Sequence, residues 1–586
     1  MAALNPDGSA ATEPALPGRG VLAARLVTAL VQALGLYLLA EAATGARAWP
    51  ATQPLAFDPL LLLFFFVPVL VLVGLGRMPP RALAIWAAVA GVALVGLGCF
   101  DAVRGRVPDY PMRETFWPSV HLWLALAPTV FIAHALVVDA ISQRRLVAPY
   151  PRHFDTAWKL GVQLALSVAF IGVFWGVLEL GAGLFKLVNV GFFQRVIHRH
   201  WFAFPATTLA LALAVHVTDV QPALIRGARS LGLTLLSWLL PLLAVVLAGF
   251  LGSLPFLSLA PLWKTHFATG LLLTAVAILV VLINSCYQDG AAEQTRSRFK
   301  RWLASLGALE LVPLVALAAW ALGLRVDQYG WSGQRIVAAA IVVLAACYAL
   351  GYTLAAVHSP VWLKHVETTN FVAAYLALAL VLALFTPLAD PARLMVADQL
   401  ARLRSGVVSP KEFDFQALKF DGARWGAAAL AELAKGSAET AAKATSALAA
   451  QSRFAPNSLS RVDRITVYPE GRTLPPHLLE DAFDKEGLTP PCLSNVGRCT
   501  IRYIHLKPDR ESILFLEGYG RGYLLESPDG QPWQIVANVD AGGRGRCPAM
   551  DSGTGTDPVQ TTTHAWPDLQ IGEHHYVLTP YSRDGC

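Results

Sequence analysis

The chain has 586 residues, of which 55% are hydrophobic and only 15% are charged, against roughly 25% charged residues in an ordinary soluble domain. Its mean hydropathy is +0.50, which is typical of a membrane protein. The net charge of +6 is uneven: residues 463–586 carry 17 acidic and 11 basic side chains, a net −6, so the remainder carries +12. Excess positive charge in a membrane region is expected where basic side chains interact with anionic lipid headgroups. No soluble segment carries a basic patch, so no nucleic-acid partner is expected.

Taken in chain order, residues 1–20 are polar and rich in Pro and Gly, which predicts a disordered tail without the features of a signal peptide. Eleven apolar runs then follow, each long enough to cross a hydrocarbon core of ~30 Å. They lie at 21–43, 59–76, 82–100, 117–139, 160–181, 204–220, 231–252, 267–284, 303–324, 336–357 and 371–388. The sequence therefore predicts a mostly α, polytopic membrane domain over 21–388. A Pro- and Gly-broken stretch at 250–263 is a candidate re-entrant segment.

The stretch 283–302 sets the predicted topology. An apolar run ends at Asn284, a polar turn and four clustered basic residues follow, and a second apolar run begins. Short loops rich in Lys and Arg stay on the cytoplasmic side of a membrane. With this loop inside, inner loops and flanks carry fifteen basic residues and outer loops carry ten. We therefore expect a cytoplasmic amino terminus and, after an odd number of spans, a carboxyl-terminal region on the opposite side.

Residues 389–461 are predicted to form a juxtamembrane helical segment. Asp390 and Pro391 are typical of the first positions of a helix, and Gly406 is typical of its end. Ser409 and Glu412 predict a second helix start, and the Ala-rich stretch 421–451 predicts one or two further helices.

Residues 462–586 have a different pattern. Short β-prone segments alternate there with Gly, Pro and Asp, and LESPDGQPWQI has the form of a hairpin with a Pro-Asp-Gly turn. The sequence therefore predicts a small soluble α+β domain at the carboxyl terminus, on the periplasmic side of a bacterial inner membrane.

Four of the seven cysteines fall in this predicted domain, namely Cys492, Cys499, Cys547 and Cys586. An even number in an oxidising compartment predicts disulfides, and proximity favours Cys492–Cys499 and Cys547–Cys586. A zinc site built from all four is the alternative. The zinc site is the less favoured alternative, because CxxC pairs are absent and the spacing is irregular. No metal and no cofactor are predicted.

Four phrases in the chain carry a resemblance to a known family. They are LFKLVNVGFF (184–193), INSCYQDG (283–290), LRVDQYGWSGQRI (324–336) and TPLADPARLMVADQLARLRSGVVSPKEFDF (386–415). With these phrases the chain resembles the bacterial polytopic proteins catalogued as domain-of-unknown-function family 4153. The resemblance implies an inner-membrane protein and brings no activity, substrate or catalytic residue with it.

Ionisable groups inside a bilayer are costly and are therefore candidate functional groups. Glu310 lies some eight residues into its span, and it either couples to protons or substrate or is a neutral carboxyl bonded to a neighbouring helix. His216 and Asp219 share one helical face near the inner end of another span. They form either a proton relay or a satisfied pair at a helix end.

Three residues of the predicted outer loop FFQRVIHRHW, Arg195, His198 and Arg199, are candidates for contact with an anionic headgroup. The alternative is a basic aromatic anchor at the membrane surface, which the composition of the loop also fits.

No phosphate-binding loop, nucleophile elbow or HExxH motif is present. The sequence favours a non-enzymatic envelope protein that docks or senses through its periplasmic domain, with the bilayer and an envelope protein as partners. Two alternatives stay open: a transporter or flippase for a small or lipid-linked solute, and a membrane enzyme acting on a lipid-linked substrate.

Overall fold

The computed structural model describes most of the helical region and parts of the carboxyl-terminal region. The described residues are 18–44, 48–105, 118–145, 147–188, 190–256, 268–290, 297–358, 361–450, 465–469, 471–484, 490, 492, 499–507, 510–517, 521–527, 532–540, 569–571 and 574–576. The chain divides into two compact units, Met1–Leu448 and Ala449–Cys586.

The first unit is helical. Its described helices are α1 Arg19–Ala43, α2 Pro54–Gly74, α3 Pro80–Gly105, α4 Val120–Gln143, α5 Tyr150–Leu187, α6 Phe192–Ile197, α7 His200–Val220, α8 Pro222–Ser253, α9 Ala268–Tyr287, α10 Arg298–Tyr329, α11 Gly333–His358, α12 His365–Leu384, α13 Pro391–Arg404, α14 Phe415–Asp421, α15 Ala423–Leu433 and α16 Ala438–Ala449.

Eleven of these helices, α1 to α5 and α7 to α12, are long and apolar enough to cross a membrane. The predicted polytopic membrane domain is therefore confirmed. The helix that contains the run predicted at 204–220 begins earlier, at His200. Of the candidate re-entrant stretch, residues 257–263 lie outside the described residues, and α8 continues to Ser253.

Small residues let these helices approach closely, as is common between membrane helices. A Cβ atom on Gly98 of α3 would stand 2.9 Å from the Cα atom of Pro59 on α2. Helices α9 to α12 share a core in which Leu279, Ile283 and Leu311 are buried. The polar groups within this packed bundle are therefore held in defined positions.

Helices α13 to α16 belong to the helical unit. Asp390 accepts a hydrogen bond from the Arg393 backbone N–H (3.0 Å), so the predicted start of α13 is confirmed. Asp390 also pairs with Arg104 at the end of α3 (2.8 Å). The second start is wrong, because α14 begins at Phe415 with Asp414 as its N-cap.

Two helices, α15 and α16, occupy the Ala-rich stretch and confirm its prediction. Lys419 of α14 donates to the Leu448 carbonyl, and burial lowers the pKa of this amine.

The described part of the second unit is built on a sheet. Its strands are β1 Ile465–Tyr468, β2 Cys499–Lys507, β3 Arg510–Glu517, β4 Arg521–Glu526 and β5 Gln534–Asp540, and β6 Leu569–Ile571 pairs separately with β7 His574–Tyr576. The order is β1-β2-β3-β4-β5, with β1 parallel to β2 and the other neighbours antiparallel.

This sheet has its own hydrophobic core. Ile501, Ile513 and Phe515 pack with Phe483 and Leu478, which lie in or beside a short π-helical turn at Glu480–Asp484. A small α+β region at the carboxyl end of the chain is therefore confirmed, and the antiparallel pairing of β4 with β5 agrees with the predicted hairpin.

Candidate functional site

An ion-pair cluster surrounds Asp219, near the carboxyl end of α7. Asp219 pairs with Arg25 of α1 and with Arg77, which follows α2, where the Nη2–Oδ1 distance is 2.5 Å. The Arg25 side chain is 0% exposed. A buried charge is costly unless it is paired and hydrogen-bonded, so the position of Arg25 depends on Asp219 and on the groups around it.

Backbone carbonyls take up further donors of Arg25. Its guanidinium donates to the carbonyls of Leu72 (3.0 Å) and Leu75 (2.9 Å), at the carboxyl end of α2. A helix ends with carbonyls that lack intrahelical partners and carry partial negative charge. His216 stands close by, with its Nδ1 3.3 Å from Nη1 of Arg25. The cluster therefore ties α1 to the ends of α2 and α7.

Gln163 extends the cluster to α5. Its Oε1 accepts from Arg77 (2.8 Å), and its Nε2 donates to Thr218 (2.9 Å) and to Asp219 (3.2 Å). Two guanidinium groups thus face a single carboxylate among these hydrogen-bonded side chains. The predicted pair His216 and Asp219 does lie together, in the company of two arginines, and its use as a proton relay stays a prediction.

A second cluster is built from uncharged side chains and joins four helices. Asn284 of α9 donates to the Tyr352 hydroxyl of α11 (2.7 Å), which donates to Oδ1 of Asn370 on α12 (2.7 Å). Asn370 in turn donates to Oδ1 of Asn284 (2.7 Å) and to the Tyr150 hydroxyl of α5 (3.0 Å). Because each hydroxyl and amide has a partner, the cluster cross-links the helices with no net charge.

The turn after Asn284 has a tight contact of its own. Tyr287 and Lys364 both donate to Oε1 of Glu367, at 2.8 and 2.6 Å. Gly290 has φ +81°, and a Cβ atom there would stand 2.9 Å from Oε1 of Glu367. The positive φ therefore disfavours any residue with a side chain at Gly290, which accounts for the glycine of the INSCYQDG phrase.

Glu310 lies in the interior of α10 and is 4% exposed. Neither carboxyl oxygen has a hydrogen-bond partner among the residues that the structure describes. This buried carboxyl therefore differs from Asp219, whose charge is compensated by two arginines. The neighbouring-helix hydrogen bond that sequence analysis offered as an alternative does not occur within the described part of the chain.

Of the three predicted headgroup residues, Arg195 lies in α6, and His198 and Arg199 lie between α6 and α7. Arg195 donates to the Gly191 carbonyl (3.3 Å), and His198 pairs with Glu179 of α5 (3.3 Å). Helix α6 ends at Ile197, so Arg195 and Arg199 do not lie on one face of a continuous helix. The described polar contacts of this loop lead to its own backbone and to the carboxylates of Glu179 and Glu41, and a headgroup site here stays a prediction.

Cys492 and Cys499 form a disulfide-capable pair, with an S–S distance of 2.12 Å and a Cα–Cα distance of 5.4 Å. Cys547 and Cys586 lie outside the described residues, so their pairing stays a prediction. Across the described ranges, no group of three or more His, Cys, Asp or Glu side chains could hold a metal ion.

One family model, described as a domain of unknown function (DUF4153), matches residues 60–435. The chain belongs to this family. Comparison with curated proteins and with solved structures found no match. The match begins within α2 and continues beyond α15, and the strand-rich unit lies outside it.

Two phrases of the DUF4153 match that lie far apart in sequence contact each other. Asp398 of α13 accepts from the Trp331 backbone N–H (2.8 Å), and Gln399 donates to the Tyr329 and Trp331 carbonyls (3.0 Å each). Gly330, with φ +73°, has no room for a Cβ, which would stand 2.6 Å from Oδ2 of Asp398. The turn between α10 and α11 is thus bound to α13 by hydrogen bonds between two phrases of the DUF4153 match.

Sequence analysis missed most members of both polar clusters. Arg25 and Arg77 counted only as flanking positive charges, and Tyr150, Tyr352 and Asn370 were not singled out. The available signal was a polar side chain within an apolar run, as at Gln163 in the run 160–181. Such a signal marks a candidate position and does not identify its partner.

Proposed function

We propose that this multi-pass membrane protein is an envelope docking or sensing protein that presents its carboxyl-terminal domain on the periplasmic side of the inner membrane. The observation that carries the proposal is the edge of the sheet. Within the described residues β5 pairs with β4 alone, and Val536 on β5 is 48% exposed. An edge strand with free backbone groups accepts a strand from another protein.

Two further features support this proposal. The sheet has its own core and a disulfide-capable pair at the start of β2, which suits a domain working in an oxidising compartment. Within each of the two polar clusters, the side chains bind mainly to other members of the same cluster. Such cross-links make the helical unit rigid, as a support for this domain would need to be.

Reporter fusions test the location. Alkaline phosphatase fused after Cys586 should be active and green fluorescent protein at the same site dark, because each folds on one side of the membrane only. The same reporters fused after Gly290, in the loop predicted to be cytoplasmic, should give the reverse pattern. A fluorescent fusion at Cys586 contradicts the periplasmic placement.

Photo-crosslinking in intact cells tests docking. A photoreactive amino acid at Val536 should give one discrete protein adduct, identified by mass spectrometry and reproduced at neighbouring exposed β5 positions. The control is Val407, which is 65% exposed and lies after α13. Adducts of equal pattern at Val407, or none at Val536, would contradict docking through β5.

A second candidate function, a proton-coupled transporter, is favoured by the burial of Glu310. Dicyclohexylcarbodiimide modifies protonated carboxyls in apolar surroundings, so it should label Glu310 and leave the exposed Glu432 unlabelled. Glu310→Gln should abolish this labelling, and Glu432→Gln, the matched control, should not. A wild-type protein that is not labelled at Glu310 contradicts a protonated carboxyl there and removes the support for this second function.

A further inference from the structure

A cavity of about 540 Å³ opens beside the ion-pair cluster. Its walls are the start of α1, the turn between α2 and α3, and the first residues of α3. The lining residues that matter here are Val21 and Ala24 of α1, Arg77 and Met78 of the turn, and Leu83 of α3. The wall is mostly apolar, with one guanidinium group in it.

The charge beside this cavity is not balanced by the described residues. Arg25 and Arg77 share the single carboxylate of Asp219. Both described hydrogen bonds of Arg77 leave from Nη2, towards Gln163 and Asp219, and these contacts leave Nε and Nη1 available. The exposed Lys159 of α5 lies close enough to interact electrostatically with Arg77 and Asp219. The cavity therefore offers an anion a guanidinium edge in a region of excess positive charge.

The apolar part of the wall limits what this anion can be. A free phosphate would use the guanidinium and leave Val21, Ala24, Met78 and Leu83 facing an empty or wet space. A phospholipid fills both parts, because its phosphate forms a charge-assisted hydrogen bond to Arg and its acyl chain covers the aliphatic side chains. The position also fits, since the cavity lies at the ends of spanning helices, where headgroups meet hydrocarbon.

We propose that this cavity binds an anionic phospholipid, with its phosphate on Arg77 and an acyl chain along Val21, Ala24 and Leu83. The bound lipid compensates the second arginine of the cluster. It thereby stabilises the junction of α1, α2 and α7. This site is independent of docking through β5 and of the headgroup contact predicted for Arg195 and Arg199.

The test measures lipid affinity of the full-length detergent-solubilised, delipidated protein by native mass spectrometry and by its thermal midpoint. Phosphatidylglycerol should bind and raise the midpoint, and phosphatidylcholine should do so much less. Inorganic phosphate at the same concentration should have little effect. A shift from inorganic phosphate as large as that from phosphatidylglycerol overturns the lipid assignment in favour of a free-anion site.

Three variants locate the site. Arg77→Gln removes the phosphate contact, and Ala24→Phe fills the cavity without changing any charge. Each should weaken phosphatidylglycerol binding by about tenfold or more, because a charge-assisted hydrogen bond or the cavity volume is lost. Arg81→Gln, at an exposed arginine of α3 outside the cavity, should leave affinity within about twofold.

Should Arg77→Gln fail to fold, Ala24→Phe decides the matter. Unchanged phosphatidylglycerol affinity in Ala24→Phe, or an equal loss in Arg81→Gln, overturns the proposal.

Discussion

The two polar clusters of the helical unit connect helices by different chemistry. The cluster at Asp219 uses charges, two arginines against one carboxylate, and it borders a cavity. The cluster of Asn284, Tyr352 and Asn370 uses only neutral hydrogen bonds and closes on itself. A neutral cluster connects helices with a small desolvation penalty. A charged cluster connects them with a large desolvation penalty, and its charge can also bind an ion of opposite charge.

The largest expected effect comes from removing the shared carboxylate. Asp219→Asn leaves two guanidinium groups facing each other, one of them fully buried, and should destabilise the protein by about 3–5 kcal/mol. Reversible unfolding in mixed detergent micelles measures this loss. Asp327→Asn, at an exposed position at the end of α10, is the control. A stability of Asp219→Asn equal to that of the control would show that the ion pairs do not hold the cluster.

The neutral cluster should be less sensitive. Tyr352→Phe removes one hydroxyl and leaves an amide donor of Asn284 and an amide acceptor of Asn370 without that partner. Hydrogen bonds between membrane helices are worth about 0.6–2 kcal/mol, so a loss of about 1–2 kcal/mol is expected in the same unfolding measurement. The control is Tyr375→Phe on α12, where the side chain is 46% exposed. A loss as large as that of Asp219→Asn would remove the contrast between the clusters.

The smallest expected effect is the coupling between the clusters. Both contain a residue of α5, Tyr150 and Gln163, which are about 20 Å apart along the helix. Distant sites without shared partners are additive to within about 0.5 kcal/mol. The double variant Asp219→Asn, Tyr352→Phe should therefore lose the sum of the single losses, by the same measurement. A larger interaction free energy would mean that α5 transmits changes from one cluster to the other.

Much of the fold follows from local features of the sequence. The spans are set by the length of the apolar runs, since a helix must be long enough to cross the hydrocarbon core. The start of α13 follows from Asp390 and Pro391, and alternating patterns mark the strands of the second unit. A local rule also failed: the start predicted at Ser409 moved to Asp414, because capping signals are common and the packing of Phe415 and Leu418 decides between them.

The polar clusters show the limit of local rules. Asp219 and Glu310 were both recognised as costly intramembrane groups, yet one is paired with two arginines and the other has no partner among the described residues. The sequence near each residue indicates its depth in the span and does not indicate whether an arginine pairs with it. The difference depends on which distant helices pack against each one.

Hydrophobicity and periodicity over short stretches of sequence account for the eleven spans, the helical segment after them and the strand-rich region at the carboxyl end. Tertiary structure alone decided which polar groups meet. Arg25 and Asp219 are separated by 194 residues and Tyr150 and Asn370 by 220. Their contact is set by the packing of whole helices. The residues next to a polar side chain in sequence show that its burial is costly, but they do not show which distant residue will pair with it.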